Sequence, residues 1–337
     1  MQQGGAIGSP LRVLAHVHGY PPEENAGAEY MLHIILRWLV DRGHQARVMV
    51  APDRKSYDLD GVSVVSGHVV DSDHAAFFRW AEQHARWSNV ILTHLDFTSN
   101  AIGIARVNAR PLVHLVHNEM QLGYHRATDA ALVIFNSAWV AEAVGWQGPS
   151  LIVRPPVFAR DYLVTPNGAG AITLIATIKL KGVETFYEIA RRMPKRRFLG
   201  VQGAYSQNIP PDPELSNVEI RPNGPDIASV YRQTRILLVP SQYESWSRCA
   251  IEAATSGIPV IASPTPGLRE SLGEAGIFVE RDDVAGWCRR IDSLDDETTY
   301  RKASDAVRAR AAELETASEQ ELQALEAALV GIVEATR

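Results

Sequence analysis

A chain of 337 residues exceeds one typical domain, and two domains of about 150 residues are its natural division. Hydrophobic residues at 46% and charged residues at 21% suit a soluble globular chain with sizeable cores, and a net charge of −6 argues against a general polyanion binder, which needs a basic surface. No run approaches the roughly 18 apolar residues of a membrane helix, the opening Met1-Gln2-Gln3-Gly4-Gly5 lacks a signal-peptide layout, and Cys249 and Cys288 alone make no disulfide framework, so a reduced cytoplasmic protein with two buried thiols is expected.

In chain order, Leu11–Val17 reads as a strand that ends in the turn-rich His18-Gly19-Tyr20-Pro21-Pro22. A helix from about Ala28 to Arg42 follows, with Met31, Ile34, Ile35, Trp38 and Leu39 at helical spacing and Gly43 where a left-handed residue is wanted. Further strands are expected at Ala46–Ala51, Val62–Ser66, Val90–Thr93, Leu112–Val116 and Leu132–Asn136, with helical patterns between several of them. Nearly continuous apolar strands alternating with helices indicate a parallel sheet covered on both faces.

From Val153 to Gly170 the rhythm breaks, and Pro155, Pro156, Pro166 and Asn167-Gly168-Ala169-Gly170 give a linker composition. Strands are then expected at Ile172–Ala176, Phe198–Val201, Val218–Arg221, Ile236–Val239, Pro259–Ala262 and Ile277–Val279. Helices are expected near Val183–Met193, Ile227–Gln233, Arg248–Ser256 and Val284–Ser293, and the Ala-, Glu- and Arg-rich tail from Thr298 to Thr336 reads as one long helix. All eleven histidines lie at or before His125. Histidine moves protons near neutral pH, so this asymmetry places acceptor-side chemistry in the first half, unless most of these residues are structural.

In an open parallel sheet, ligands bind at the carboxyl ends of strands, where helix N-termini present free amides. Pro240-Ser241-Gln242-Tyr243-Glu244-Ser245-Trp246-Ser247-Arg248-Cys249-Ala250-Ile251-Glu252-Ala253 fits such a place, after the apolar strand Ile236–Val239 and leading into a helix. A turn carboxylate at Glu244 can accept hydrogen bonds from sugar hydroxyls, and Glu252 can hold a ribose diol. The amides of Ser247, Arg248 and Cys249 would be free for a diphosphate.

Two glutamates separated by seven residues, after Pro-Ser and before Ala-Ile-Glu-Ala-Ala, resemble the signature of retaining glycosyltransferase family 4. The likeness continues through Ser256–Ala262, Pro266-Gly267-Leu268-Arg269-Glu270 and Ala275–Val279, and covers roughly residues 170–295. It implies the GT-B fold: an acceptor-side Rossmann-like domain over 1–160, a nucleotide-sugar donor domain over 161–310, and a C-terminal helix over 311–337 packing back toward the first. In the first half, Asn25-Ala26-Gly27-Ala28-Glu29 stands where the family has Gly-Gly-Ala-Glu, which implies a donor-phosphate contact from the Gly27 amide; Ala26 departs from the pattern, and a plain helix N-terminus is the other reading. His117-Asn118 resembles the family's His-Asp or His-Asn element, which makes His117 a catalytic candidate against the transferred sugar, with a core histidine as its alternative. His94 stays open between the two.

The family's phosphate clamp is altered. Lys181-Gly182 matches it, but the preceding arginine is absent, leaving Lys179 or Arg248 to supply the second charge, although a lysine lacks arginine's fork. Ser247 replaces a common glycine, and Asn223, within Arg221–Gly224, is a candidate contact for the base. The basic run Arg191–Arg197 is expected to complement a helix C-terminus, with a membrane or nucleic-acid contact as the alternative. Trp38, Trp80 and Trp87 are expected to pack helices, and Trp246 to meet the ligand.

The resemblance implies retaining transfer of a sugar, of the hexosyltransferase class, from a UDP- or GDP-linked donor. No cofactor or metal is implied, since fixed cations and amides do the ion's work and no clear Asp-x-Asp site is read. The acceptor stays open among small molecules, proteins, glycans, lipids and modified nucleic acid, with no stable membrane insertion expected. The alternative is an inactive nucleotide-sugar-binding protein of the same fold. A nicotinamide oxidoreductase is disfavoured, because no G-x-G-x-x-G follows the first strand.

Overall fold

The computed structural model describes residues 9–50, 54–67, 74–120, 130–167, 169–204 and 207–336, without the side chains of 74 and 75. The opening pentapeptide, Ala51, His125 and Gly168 lie outside these residues. The chain divides into two compact units, Met1–Arg154 with Glu319–Arg337, and Pro155–Ser318.

In the N-terminal unit, strands β1 (Arg12–His16), β2 (Gln45–Val50), β3 (Tyr57–Leu59), β4 (Val62–Ser66), β5 (Val90–His94), β6 (Leu112–Val116), β7 (Leu132–Phe135) and β8 (Ser150–Ile152) form one sheet in the order 3-4-2-1-5-6-7-8. Every pairing is parallel except that of β3 with β4. β5 and β6 are buried along their whole length, as parallel strands covered on both faces must be. Helices α1 (Gly27–Asp41), α2 (His74–Trp87), α3 (Thr98–Val107) and α4 (Ala138–Val144) complete the alternation. The apolar stripe of α1 is buried, and Gly43 follows the helix at φ +91°, in the left-handed region. The hairpin β3–β4 turns through Asp60-Gly61, both at positive φ, which matches the twist of the paired strands.

The C-terminal unit holds β9 (Ala171–Ile175), β10 (Phe198–Val201), β11 (Val218–Arg221), β12 (Thr234–Val239), β13 (Val260–Ala262) and β14 (Ile277–Phe278), all parallel, in the order 11-10-9-12-13-14. Its helices are α5 (Ala159–Tyr162), α6 (Val183–Arg192), α7 (Ile227–Arg232), α8 (Arg248–Thr255), α9 (Pro266–Leu272), α10 (Val284–Ser293) and the first part of α11 (Glu297–Ala335). Among the described residues, three apolar clusters fill the unit: one between β12, α8 and α11, one around α6, β10 and α10, and a small one of Ala171, Leu199, Val201 and Val230.

The segment expected to be a linker holds the division between the two units, after Arg154, and is packed. Val153, Val157, Phe158 and Tyr162 are all buried, because its prolines set extended backbone that feeds apolar side chains into the cores. Ser256 Oγ accepts from the Val164 amide and donates to the Tyr162 carbonyl. Both cysteines are free and, as whole residues, of intermediate exposure. The basic run Arg191–Arg197 is laced to carboxylates: Arg191 and Arg192 to Glu188, Arg196 to Asp292 and Asp295, Arg197 to Glu219.

One acid-side prediction arises in the N-terminal unit. His84 Nδ1 accepts from Arg47, and the Trp80 ring lies against the imidazole; burial, with the Arg47 charge second, pushes its pKa down to about 4 from 6.5. The unfolded chain therefore takes up this proton below about pH 6.5 while the folded chain does not, so stability is lost as pH falls from 6.5 towards 4. Urea unfolding at pH 7 and pH 5 should show a smaller drop for His84→Gln than for wild type; equal drops would rule this contribution out.

Candidate functional site

In the C-terminal sheet the strand order reverses between β9 and β12, and the crevice at their carboxyl ends is where such sheets bind ligands. β9 leads through Ala176, held at φ +69°, into a 3-10 turn at Lys179–Lys181. β12 leads into Pro240–Ser247 and then α8. The Gln242 amide donates to the Leu180 carbonyl at 2.9 Å, joining the two loops. Arg281 clamps them from outside, donating to the carbonyls of Pro240 and Lys179, each at 3.2 Å.

Two glycines let neighbouring backbone pack closely against the 240–247 loop. A Cβ on Gly182, at φ +82°, would lie 2.1 Å from the Pro240 carbonyl oxygen. On Gly267, in the first turn of α9, it would lie 2.2 Å from the Glu244 carbonyl oxygen.

Lys181 thereby meets Glu244 at 2.7 Å, and the same carboxylate oxygen accepts from Ser241 Oγ at 2.9 Å. Burial opposes the Lys181 charge, but the adjacent carboxylate holds its pKa above the ordinary value. One turn into α8, Glu252 is equally buried: one oxygen meets Arg248 Nε at 2.8 Å, the other accepts from the Tyr231 hydroxyl at 2.7 Å. Arg248 also reaches the Tyr162 hydroxyl. Between the pairs lies the N-terminus of α8, whose first residue follows Ser247 with no side-chain cap on its amides. Ser247 Oγ turns to Cys249 Sγ at 3.6 Å. Burial, with the Glu244 charge second, pushes the Cys249 thiol up to about 12, so it is no nucleophile near neutral pH.

The structure thus brings together Lys181, Glu244, Ser247, Arg248 and Glu252. Lys179 is not drawn in: its ammonium is mostly exposed and lies 3.9 Å from Glu184. Asn223 sits beyond the end of β11, where its Nδ2 donates to the Gln202 carbonyl at 3.3 Å. Trp246 corrects an expectation, since it is buried in the apolar cluster with Tyr231 and Leu268 rather than presented to a ligand. Sequence reasoning missed Tyr162, Tyr231 and Arg281, whose partners lie far away along the chain. Arg248 and Glu252, four apart on one helix, carried a legible signal for their pairing.

The N-terminal unit has its own reversal, between β2-β1 and β5. His18 follows β1, His94 ends β5, and His117 follows β6. His94 Nδ1 and His117 Nε2 are 3.0 Å apart, and burial lowers both imidazoles, His117 to about 4 and His94 well below its ordinary value, so both are neutral. Glu29, in the first turn of α1, lies 3.3 Å from His18 Nε2. Gly27 opens α1 behind Ala26, which makes no side-chain cap. Two Asp-x-Asp spacings occur in the sequence. Asp58–Asp60 belongs to the β3–β4 turn, where Asp58 caps Gly61 and Asp60 pairs with His33; Asp71–Asp73 lies outside the described residues.

Residues 171–296 match the family model described as glycosyl transferases group 1. A D-inositol 3-phosphate glycosyltransferase of Pseudarthrobacter chlorophenolicus is 24% identical over 277 residues, 66% of each chain. One of Corynebacterium kroppenstedtii is 41% identical over 80 residues, 23% of this chain and 18% of that one. The match thus spans from about a fifth to just under two thirds of these relatives' length. Among solved structures, sucrose-phosphate synthase from Thermosynechococcus elongatus aligns with a TM-score of 0.76 at 17% identity, over 95% of this chain and 99% of that one. Anabaena Alr3699/HepE in complex with UDP-glucose aligns at 0.74 and 17%, over 94% and 100%. The fold is that of the GT-B glycosyltransferases: two α/β units with parallel sheets and a C-terminal helix. Among the described residues, no helix is long and apolar enough to cross a membrane.

Proposed function

We propose that this chain is a retaining glycosyltransferase of family 4 that takes a sugar from a nucleoside diphosphate sugar, with the donor held in the C-terminal unit. The observation that carries this reading is the pairing of Glu244 with Lys181 and of Glu252 with Arg248 on either side of the uncapped α8 N-terminus. Each cation is neutralised by its glutamate, so both pairs must open as the donor enters. Glu244 exchanges Lys181 for sugar hydroxyls, and Glu252 exchanges Arg248 for the ribose diol. The released ammonium and guanidinium, with the amides of Ser247, Arg248 and Cys249, then face the diphosphate and stabilise charge on the leaving group. Fixed charges thus do at the diphosphate what a metal ion would do. Lys179 and Asn223 are proposed as outer contacts to phosphate and base, and the N-terminal unit's share is the Gly27 amide and His117 against the sugar.

UDP-sugars are the first donors to try, given the ligand of the Anabaena protein, and an inositol phosphate heads the acceptor panel, given the names of the relatives. Calorimetry and thermal shift with UDP, GDP, ADP and their sugar conjugates test the reading. One nucleotide should bind saturably. Glu252→Ala should weaken it roughly 10–100-fold, the worth of a charge-assisted hydrogen bond. Glu244→Gln should keep nucleotide binding and lower turnover roughly 100-fold. Folded protein that binds no nucleotide would defeat the proposal; binding without transfer to any acceptor would favour the donor-binding alternative.

A further inference from the structure

We infer that the N-terminal unit carries a binding site for a divalent transition-metal ion, formed by His18, Glu29 and His94. One ligand atom from each of the three lies within 4.8 Å of the other two. They come from three elements at the reversal of the N-terminal sheet: the turn after β1, the first turn of α1, and the end of β5. This is the crevice where a doubly wound sheet receives ligands.

Hydrogen bonding leaves the site needing a partner. His94 is 0% exposed, its Nδ1 faces His117 Nε2 at 3.0 Å, and its Nε2 is buried with no hydrogen-bond partner. Of the two tautomeric arrangements that make this contact, one leaves a lone pair for a metal ion: Nδ1–H donates to His117, and Nε2 is the unprotonated, ligating nitrogen. A metal-bound histidine commonly donates its other ring N–H in this way.

His18 Nε2 and Glu29 Oε1 stand 3.3 Å apart, long for a charge-assisted hydrogen bond. It is, however, the separation of two ligands on one tetrahedral ion, since bonds of about 2.0–2.1 Å set ligand atoms roughly 3.3–3.4 Å apart. The Glu29 side chain is fully buried, whereas that of His18 is 21% exposed, which gives an ion an entry path and leaves room for water as a fourth ligand. Asp96 and Glu24 add negative charge near His18.

Two imidazoles and one carboxylate suit Zn2+, Co2+ or Fe2+ and not Mg2+, which prefers oxygen ligands. The site does not rest on the reading of the C-terminal donor residues, although Glu29 shares the first turn of α1 with Gly27 and His94 touches His117. Its effect would be to fix the His94 ring and, through the Nδ1–H bond, the ring of His117, making His94 a positioning residue for His117.

The test uses tag-free full-length protein stripped with chelator. Titration with Zn2+ should show one equivalent bound and Mg2+ none, and Co2+ should give the intense visible bands of a tetrahedral nitrogen and oxygen site. Those bands should vanish in Glu29→Gln and in His18→Ala, the latter the more tolerant position because it is partly exposed. His117→Ala should retain them with affinity lowered roughly 10–100-fold, as for a residue that orients a ligand. Cys288→Ser should bind as wild type does. Folded protein that takes up no Zn2+, or His18→Ala protein that binds it undiminished, would overturn the assignment, as would loss of binding in the cysteine variant alone. If Glu29→Gln fails to fold, His18→Ala decides.

Discussion

Truncation after Ser318 is expected to abolish cooperative folding of the N-terminal unit while the C-terminal unit keeps its own transition. The last 19 residues belong to the N-terminal unit, although α11 begins in the other. Within them Leu322, Leu325 and Leu329 are 0% exposed and Val333 4%. At about 1.5–3 kcal/mol for each buried side chain, their loss costs about 6–12 kcal/mol, on the order of a whole domain's stability of about 5–15 kcal/mol. Polar contacts add to it. Glu326 meets Arg42 Nε at 2.7 Å and His44 Nε2 at 2.9 Å, while His44 Nδ1 accepts from the Leu11 amide at 3.0 Å. The His44 tautomer is thereby set, and Glu326 anchors the helix beside the start of β1. Glu319 accepts from Trp38, and Glu321 holds both the backbone and the side chain of Arg154. Calorimetry of the truncated chain should lose one of two transitions; two unchanged transitions would refute the role given to the final helix.

Gly182→Ala is expected to cost about 2–5 kcal/mol and to disable the donor site as well. About 1–2 kcal/mol comes from holding an alanine at φ +82°, and about 1–3 kcal/mol from forcing a methyl against the Pro240 carbonyl 2.1 Å away. Pro240 is backbone at the end of a buried strand and cannot swing aside, so the 179–181 turn must move. That movement strains the Gln242–Leu180 bond and pulls Lys181 from Glu244. Urea unfolding should show the loss, and nucleotide calorimetry on the folded fraction should show weakened binding. Gly331→Ala is the control: it lies in α11 with nothing within 4 Å of the added Cβ, and should stabilise by about 0.5–1 kcal/mol. Equal behaviour of the two variants would show that the close approach at Gly182 has no consequence.

The elements of the C-terminal unit were legible because each carries its signal locally. Phe198–Val201 reads as a strand and is one, buried along its length as a parallel strand covered on both faces must be, and Val218–Arg221 shows the apolar–polar alternation of a half-buried edge strand. Residues 240–253 were legible for the same reason: strand end, turn and helix start follow one another along the chain. The edge strand Tyr57–Leu59 escaped notice because its exposed face admits polar residues and it pairs with one neighbour only. The Asp60-Gly61 turn was the signal that marked it.

By itself, then, the sequence determined the alternation of strands and helices, the acidic pair Glu244 and Glu252, and Lys181-Gly182. Only the tertiary structure decided that Lys181 meets Glu244 across 63 residues, that Gly182 is the gap through which those loops close, that Gly267 lets α9 pack on Glu244, and that Trp246 is core. It likewise decided that His18, Glu29, His94 and His117 are neighbours. The physical reason is the sheet order: placing β1 beside β5, and β9 beside β12, joins the ends of strands that lie 60 to 80 residues apart. Local propensity can set a strand's period and length, but which strand ends share a crevice depends on how the sheet winds.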